Sequence, residues 1–167
     1  YLRIRLQLST PYDEYARHSM KVGVLVVAYN AETTLVDVLD RIRPWLPILL
    51  ALSGNSPFWQ GVDSTFASYR YQAWGRWPSA GAYELFGSAD AYAAAIEEML
   101  ATGVLLDAGM VYLDARLSSH APTVEVRVAD VCLIAEDAAL LAVLIRALVE
   151  TAAEAWRAGI PPDDIST

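Results

Sequence analysis

The chain has 167 residues, and 12 Lys and Arg against 20 Asp and Glu leave a formal charge of −8. With 55% hydrophobic and 19% charged residues it is too apolar for a disordered segment, and its length sits within the roughly 100–200 residues of a single domain. A pI near 4.6 gives none of the clustered positive charge that nucleic acid or an anionic membrane surface requires, so neither partner is expected.

Cys132 is the one cysteine, which excludes an internal disulfide and a cysteine-rich zinc site and fits a cytoplasmic setting. Within Val131-Cys132-Leu133-Ile134 it reads as a small buried hydrophobe. The longest apolar stretches, Trp45 to Leu52 around Pro47 and Ala138 to Val149 around Arg146, fall short of the roughly 20 residues of a membrane span. Tyr1 is neither a start methionine nor the head of a signal peptide, and the chain reads as a fragment.

Residues 1–20 mix polar and aromatic types around few aliphatic positions, with Pro11 barring a helix, and form an extension without an assignment. A buried strand is predicted from Val22 to Ala28, followed by a turn at Tyr29 to Ala31. Helical spacing then runs through Leu35, Val38, Leu39, Ile42, Leu46, Leu49 and Leu50, with Thr33 or Thr34 as cap. Arg41 and Arg43 are expected on the outer side of this helix, and Pro44 and Pro47 should bend or restart it.

From Ser53 to Gly87 the chain turns to Gly, Ser, Asn and Pro with Phe58, Trp59, Phe66, Tyr69, Tyr71, Trp74 and Trp77. A connector that aromatic and that long points to function rather than disorder. Ser88 then reads as the cap of a helix over Ala89–Ala101, apolar at Tyr92, Ile96, Met99 and Leu100 and stopped before Gly103. Strands are predicted at Ala108 to Arg116 and Thr123 to Leu133 as an antiparallel hairpin, and Glu136 and Asp137 open a long helix to about Ala158. The organisation is one α+β domain over 21–160 with a tail at 161–167, where Asp163 and Asp164 are solvated. His18 and His120 stand alone and read as loop residues, and Met20, Met99 and Met110 as core or chain-start residues.

Chemistry concentrates in two places. In the hairpin, Val124, Val126 and Val128 share one face, while Glu125 and Arg127 share the other; Tyr112, Asp114 and Arg116 share a parity on the partner strand, with Val111 and Leu113 opposite. Coinciding charged faces would gather two carboxylates and two guanidiniums, either as cross-strand ion pairs or as a site for Mg²⁺ and phosphate. In the aromatic loop, Arg70 and Arg76 beside Trp and Tyr suit an anionic or planar ligand, or else pack as an aromatic lid.

Five blocks carry a resemblance: Arg43-Pro44-Trp45-Leu46-Pro47, Leu49 through Ser53-Gly54-Asn55-Ser56-Pro57-Phe58-Trp59-Gln60-Gly61, Ala67-Ser68-Tyr69-Arg70, Arg76-Trp77-Pro78-Ser79-Ala80-Gly81, and Pro122 through Glu125-Val126-Arg127-Val128-Ala129-Asp130-Val131. In this order, from about Asp40 to about Thr151, the chain resembles the bacterial carboxylate-amine ligases of the glutamate–cysteine ligase type 2 family. The resemblance implies part of a glutamine-synthetase-like domain, an antiparallel sheet with helices packed on one face. It also implies a reaction in which ATP phosphorylates a carboxylate and an amine attacks the acyl phosphate, with glutamate and cysteine or a similar amine as substrates. By position it implies Arg70, Arg116 and Arg127 as catalytic residues, Arg76, Asn55 and Ser56 as ATP contacts, and Glu125 and Asp114 as Mg²⁺ ligands.

Departures from that family pattern are Leu117, where a proline usually follows Asp114-x-Arg116, and Ser19-Met20-Lys21-Val22-Gly23-Val24, where a His-x-His-x-Gly-Val strand is usual. Val22 to Leu35 instead resembles the first strand, loop and helix of family 2 glycosyltransferases, and the junction reads as a fusion or chimera. A nucleotide-sugar glycosyltransferase fragment and a non-catalytic, self-associating interaction module are therefore the alternative functions, the latter as a homo-oligomer joined through open strand edges.

Overall fold

The computed structural model describes residues 3–9, 21–27, 32–119 and 121–165, those before residue 35 by backbone path. The turn expected at Tyr29 to Ala31, and His18, Met20 and His120, lie outside the described residues. Two strands come first, β1 (Arg3–Ser9) and β2 (Lys21–Val27), the second being the strand expected from Val22. Helix α1 (Glu32–Ile42), a 3-10 turn (Arg43–Trp45) and helix α2 (Leu46–Ser53) then divide where the prolines stand. Pro44 and Pro47 sit at the starts of their segments, where a missing amide N–H removes no helical bond. Thr33 and Thr34 fall inside α1 rather than at its cap.

The aromatic stretch contains a small hairpin, β3 (Phe58–Trp59) and β4 (Val62–Asp63), and a short helix α3 (Tyr69–Trp74). Gln60 and Gly61, with φ of 51° and 81°, make the tight turn between those strands. Helix α4 (Ala89–Ala101) has the expected ends: the Ser88 hydroxyl accepts from the Ala91 N–H, and Gly103 takes φ of 71° beyond its last turn. The following strands, β5 (Ala115–Leu117) and β6 (Thr123–Val126), are shorter than their patterns suggested. Residues 108–110 form a 3-10 turn instead, capped by the Asp107 carboxylate, and the Arg127 and Val128 N–H groups both donate to the Asp114 carbonyl, which bends the chain off the ladder. Helix α5 (Ala135–Arg157) ends as expected before Gly159.

Four strands pair antiparallel in the order β1-β2-β6-β5, with Leu25 opposite Glu125 and Glu125 opposite Arg116. Ala115, Val124 and Val126, on the other parity, are buried with Val111, Leu113 and Val128. Helices α1 and α5 pack on each other and reach the sheet, α1 through β5 and β6 and α5 through β2. Leu35, Leu39, Ile42, Leu46 and Ile145 are almost wholly enclosed there, each stabilising by roughly 1.5–3 kcal/mol. Tyr92, Ile96, Met99 and Leu100 turn the apolar face of α4 to the same core, and Met110 and Cys132 pack against it half-buried. Burial pushes the Cys132 thiol up, as befits a small hydrophobe. The free edge of β5 is met by the Tyr92 hydroxyl, which accepts from the Leu117 N–H. The class is α+β, and no helix of the described residues is long and apolar enough to cross a membrane.

Arg41 and Arg43 do not project outward. Because α1 stops at Ile42, Arg43 leaves helical phase and turns inward, 4% exposed, with Nη1 donating to Glu84 at 3.0 Å and Nη2 to the Asp163 carbonyl at 3.3 Å. Arg41 donates to Asp37 and, at 2.7 Å, to the Ile160 carbonyl. Both hold the chain after α5, which Gly159 with φ of 69° turns back over α1; the Asp163 and Asp164 side chains stay exposed. Beside them Asp40, 2% exposed, accepts the Phe86 and Gly87 N–H groups at 3.0 and 2.8 Å and so pins the lead into α4.

Asp40→Ala strands two amides that the carboxylate now satisfies, and it should lower unfolding stability by roughly 3 kcal/mol. Ser88→Ala, a cap exposed to water, should cost about 1 kcal/mol. Urea unfolding of the two variants would give equal losses if the Asp40 contacts were incidental.

Candidate functional site

The second face of the β5–β6 hairpin carries the charge. Opposite register places Arg116 against Glu125, and Arg116 Nε donates to Glu125 Oε2 at 2.9 Å. Arg116 is 9% exposed, and its Nη1 donates to the carbonyls of Ala108, Gly109 and Val111, so one guanidinium staples the 3-10 turn to the sheet. Arg127, two residues beyond Glu125, reaches the same carboxylate oxygen at 3.5 Å. Burial pushes the Glu125 carboxyl up, but the Arg116 bond and charge, the Ser118 hydroxyl and the Arg127 charge together outweigh it and hold it below its ordinary value.

Helix α3 covers this face from the aromatic stretch. The Arg70 and Arg127 guanidiniums both lie 5.6 Å from the Trp74 ring, and Arg127 also lies 5.5 Å from Tyr112. Trp74 and Trp77 close on Tyr112 with ring centres 4.6 and 5.8 Å away. The Tyr71 hydroxyl donates to Asp114 at 2.9 Å. Burial pushes the Asp114 carboxyl up despite that bond and the Arg70 charge, and burial with the Asp114 charge pushes Tyr71 to about 12. Arg70 Nη1 and Arg127 Nε are buried without a hydrogen-bond partner among the described residues. A buried guanidinium N–H left without an acceptor is costly, and an oxyanion is a group able to satisfy it.

The eight residues singled out in the sequence thus divide. Arg70, Asp114, Arg116, Glu125 and Arg127 converge on one sheet face and its α3 cover. Arg76 stands in a neighbouring exposed group, donating to the Tyr69 hydroxyl at 2.7 Å and lying 5.7 Å from Trp59. Asn55 and Ser56 are engaged by the segment after β6: Asn55 Nδ2 donates to the Val131 carbonyl, and Ser56 Oγ to the Asp130 carboxylate. Sequence reasoning named Tyr71, Trp74 and Tyr112 beside the charged residues but gave none of them, nor Asp130, a place in the site. Tyr112 had the right parity, and Asp130 ended the alternating run, but what they touch lies dozens of residues away.

A magnesium ion does not fit Glu125 and Asp114 as they stand. Glu125 is engaged by two guanidiniums and Asp114 by the Tyr71 hydroxyl, so neither carboxylate is free to take a cation in this arrangement.

The two carboxylates give opposite pH signatures. Glu125, held low, contributes stability that is complete above about 4.5 and lost as pH falls through its lowered folded value. Glu125→Gln should therefore cost roughly 2–3 kcal/mol at pH 7, because Arg116 loses its counter-ion, with the deficit closing in acid. Asp114, held high, costs stability as pH rises through the ordinary carboxylate range to its folded value, so Asp114→Asn should raise the melting temperature at pH 7 and not at pH 3. Melting curves from pH 3 to 8 check both signs.

Comparison with known proteins follows the same residues. The sequence pattern of glutamate–cysteine ligase family 2 (GCS2) matches residues 7–165. A protein of Paenarthrobacter aurescens (strain TC1) named "Putative glutamate--cysteine ligase 2-1" is 55% identical over 161 residues, which are 96% of this chain and 42% of that protein. Proteins named in the same way from Streptomyces avermitilis and Streptomyces coelicolor are 61% and 60% identical, over 84% and 95% of this chain and 39% and 44% of their own lengths. The chain spans about two fifths of the length of these relatives. The family match spans residues 22–35, and the likeness of that segment to a glycosyltransferase, with the fusion it implied, has no support. From residue 7 to residue 165 the chain belongs to glutamate–cysteine ligase family 2.

Proposed function

We propose that this chain supplies the anion-binding face of an ATP-dependent carboxylate-amine ligase with a glutamine-synthetase-like catalytic domain. The observation that carries the reading is two guanidinium donors, Arg70 Nη1 and Arg127 Nε, buried without a hydrogen-bond partner among the described residues, each guanidinium 5.6 Å from the Trp74 ring. Family membership supports the ligase class. In such a reaction the terminal phosphoryl group of ATP passes to a carboxylate oxygen, giving an acyl phosphate and ADP. The amine nitrogen then attacks the carbonyl carbon, loses a proton, and phosphate leaves with the bonding electrons. Glutamate and cysteine, or a similar amine, are the substrates in this reading.

What these residues contribute is charge held in place. Guanidinium groups meet phosphate or carboxylate oxygens in pairs, and they do so more strongly where Trp74, Trp77 and Tyr112 limit water. Arg116 has a different part, because its donors are spent on Glu125 and the 108–111 turn; it fixes the floor on which Arg127 lies. Glu125 and Asp114 are given no metal role here, because their oxygens are taken up by Arg116, Arg127 and Tyr71.

Thermal shift and titration calorimetry with ATP, pyrophosphate and L-glutamate test the reading. Saturable stabilisation by at least one of them is expected, following the logarithm of ligand concentration over Kd. Arg70→Lys and Arg127→Lys should each weaken that binding by about tenfold, since an ammonium cannot reproduce a planar fork. A melting temperature unmoved by all three ligands would rule the reading out.

A further inference from the structure

We propose that Asp130 and Ser56 form a positioning clamp that sets the spacing of the Arg70 and Arg127 guanidiniums, so that anion affinity depends on a carboxylate that does not touch the anion. This inference rests on the anion-binding reading above.

Helix α3 has six residues, too few to hold its own direction. Its first turn is held from outside. The Ser56 carbonyl accepts the Tyr69 N–H at 2.8 Å, the Ser56 N–H donates to the Ala67 carbonyl at 3.0 Å, and the Ser56 hydroxyl accepts the Arg70 N–H at 3.3 Å. That same hydroxyl donates its own proton to Asp130 Oδ2. Arg70 therefore leaves the backbone at a point whose place is set by Ser56, and Ser56 is set by Asp130.

Asp130 is 7% exposed and is itself immobilised on every side. Its Oδ2 also accepts the Asn55 N–H at 3.1 Å, its Oδ1 accepts the Val131 N–H at 2.8 Å, and its own N–H donates to Ser53 Oγ at 2.9 Å. Ser53 Oγ in turn donates to the Leu49 carbonyl at 2.8 Å, which anchors the assembly to α2. Asp130 follows Arg127 by three residues, within the segment that bends off β6. One carboxylate thus joins the segment bearing Arg127 to the turn bearing Arg70. Two cations beside one indole repel each other, so their separation is held by the backbone that carries them.

Calorimetry with pyrophosphate and L-glutamate on the 167-residue chain is the test, with melting temperature recorded for each variant. Ser56→Ala should weaken binding about tenfold while the chain stays folded, because a small displacement of a binding group is enough to lose that much. Ser56→Thr, which keeps the hydroxyl, should restore the affinity. In an Arg70→Ala background, Ser56→Ala should cause no further loss, whereas a merely structural serine would weaken binding equally in both backgrounds. If Ser56→Ala does not fold, Asp130→Asn, which keeps an acceptor oxygen and drops the charge, should show a severalfold loss instead. Unaltered affinity in a folded Ser56→Ala chain, or additive losses in the double variant, overturns the clamp alone. Absence of binding to the unaltered chain overturns the parent reading and the clamp with it.

Discussion

The bond between Arg116 and Glu125 decides what the second face of the sheet can be. A guanidinium only 9% exposed needs a counter-ion, and the register of β5 on β6 puts Glu125 opposite it. With Nε committed to that carboxylate and Nη1 to three carbonyls, Arg116 is a strut between the hairpin and the 3-10 turn. Glu125 consequently has little negative charge to offer a metal, and its remaining attraction goes to Arg127. The hairpin that looked balanced, two acids and two bases, is locally positive where α3 covers it.

That cover is made of rings for a physical reason. Aromatic faces accept cations at modest cost, so Trp74 and Tyr112 help two guanidiniums sit half out of water, Arg127 with only a shared, long contact to Glu125. Asp114 feels the Arg70 charge and is engaged by the Tyr71 hydroxyl, while burial still pushes its carboxyl up. The outcome is a pair of donors kept in deficit, the condition under which an external oxyanion gains most from binding.

Much of this architecture is legible in the sequence. Ser88 and Gly103 mark both ends of α4, the prolines divide α1 from α2, and the alternation after Thr123 correctly separates Val124 and Val126 from Glu125. β1 was missed although Ile4, Leu6 and Leu8 alternate with Arg3, Arg5, Gln7 and Ser9; a polar average hid a period of two. β3, β4 and α3 are too short for any periodicity to show. Arg41 and Arg43 were placed outside because charge usually faces water, and the chain after Gly159 that encloses them is a tertiary event. The same limit applies to the site. Parity brings Arg116, Glu125 and Arg127 together, but nothing local reveals that Asn55 and Ser56 answer to Asp130 across about 75 positions.

Stability and chemistry are divided between the two sides of one small sheet. On the inner side Val124, Val126 and Ala115 are buried against α1, and the hydrophobic gain is made there. On the outer side two unpartnered N–H groups and a carboxyl held high each subtract from stability, by about 1–3 kcal/mol for a lost hydrogen bond. A fold selected for stability alone would place acceptors beside Arg70 and Arg127. The strict alternation of a strand separates the two sides within the same four residues, because a substitution on the core face need not alter the charged face. The site therefore has to be rigid through its backbone rather than through its charges, which is the arrangement that Arg116 on one flank and Asp130 on the other provide.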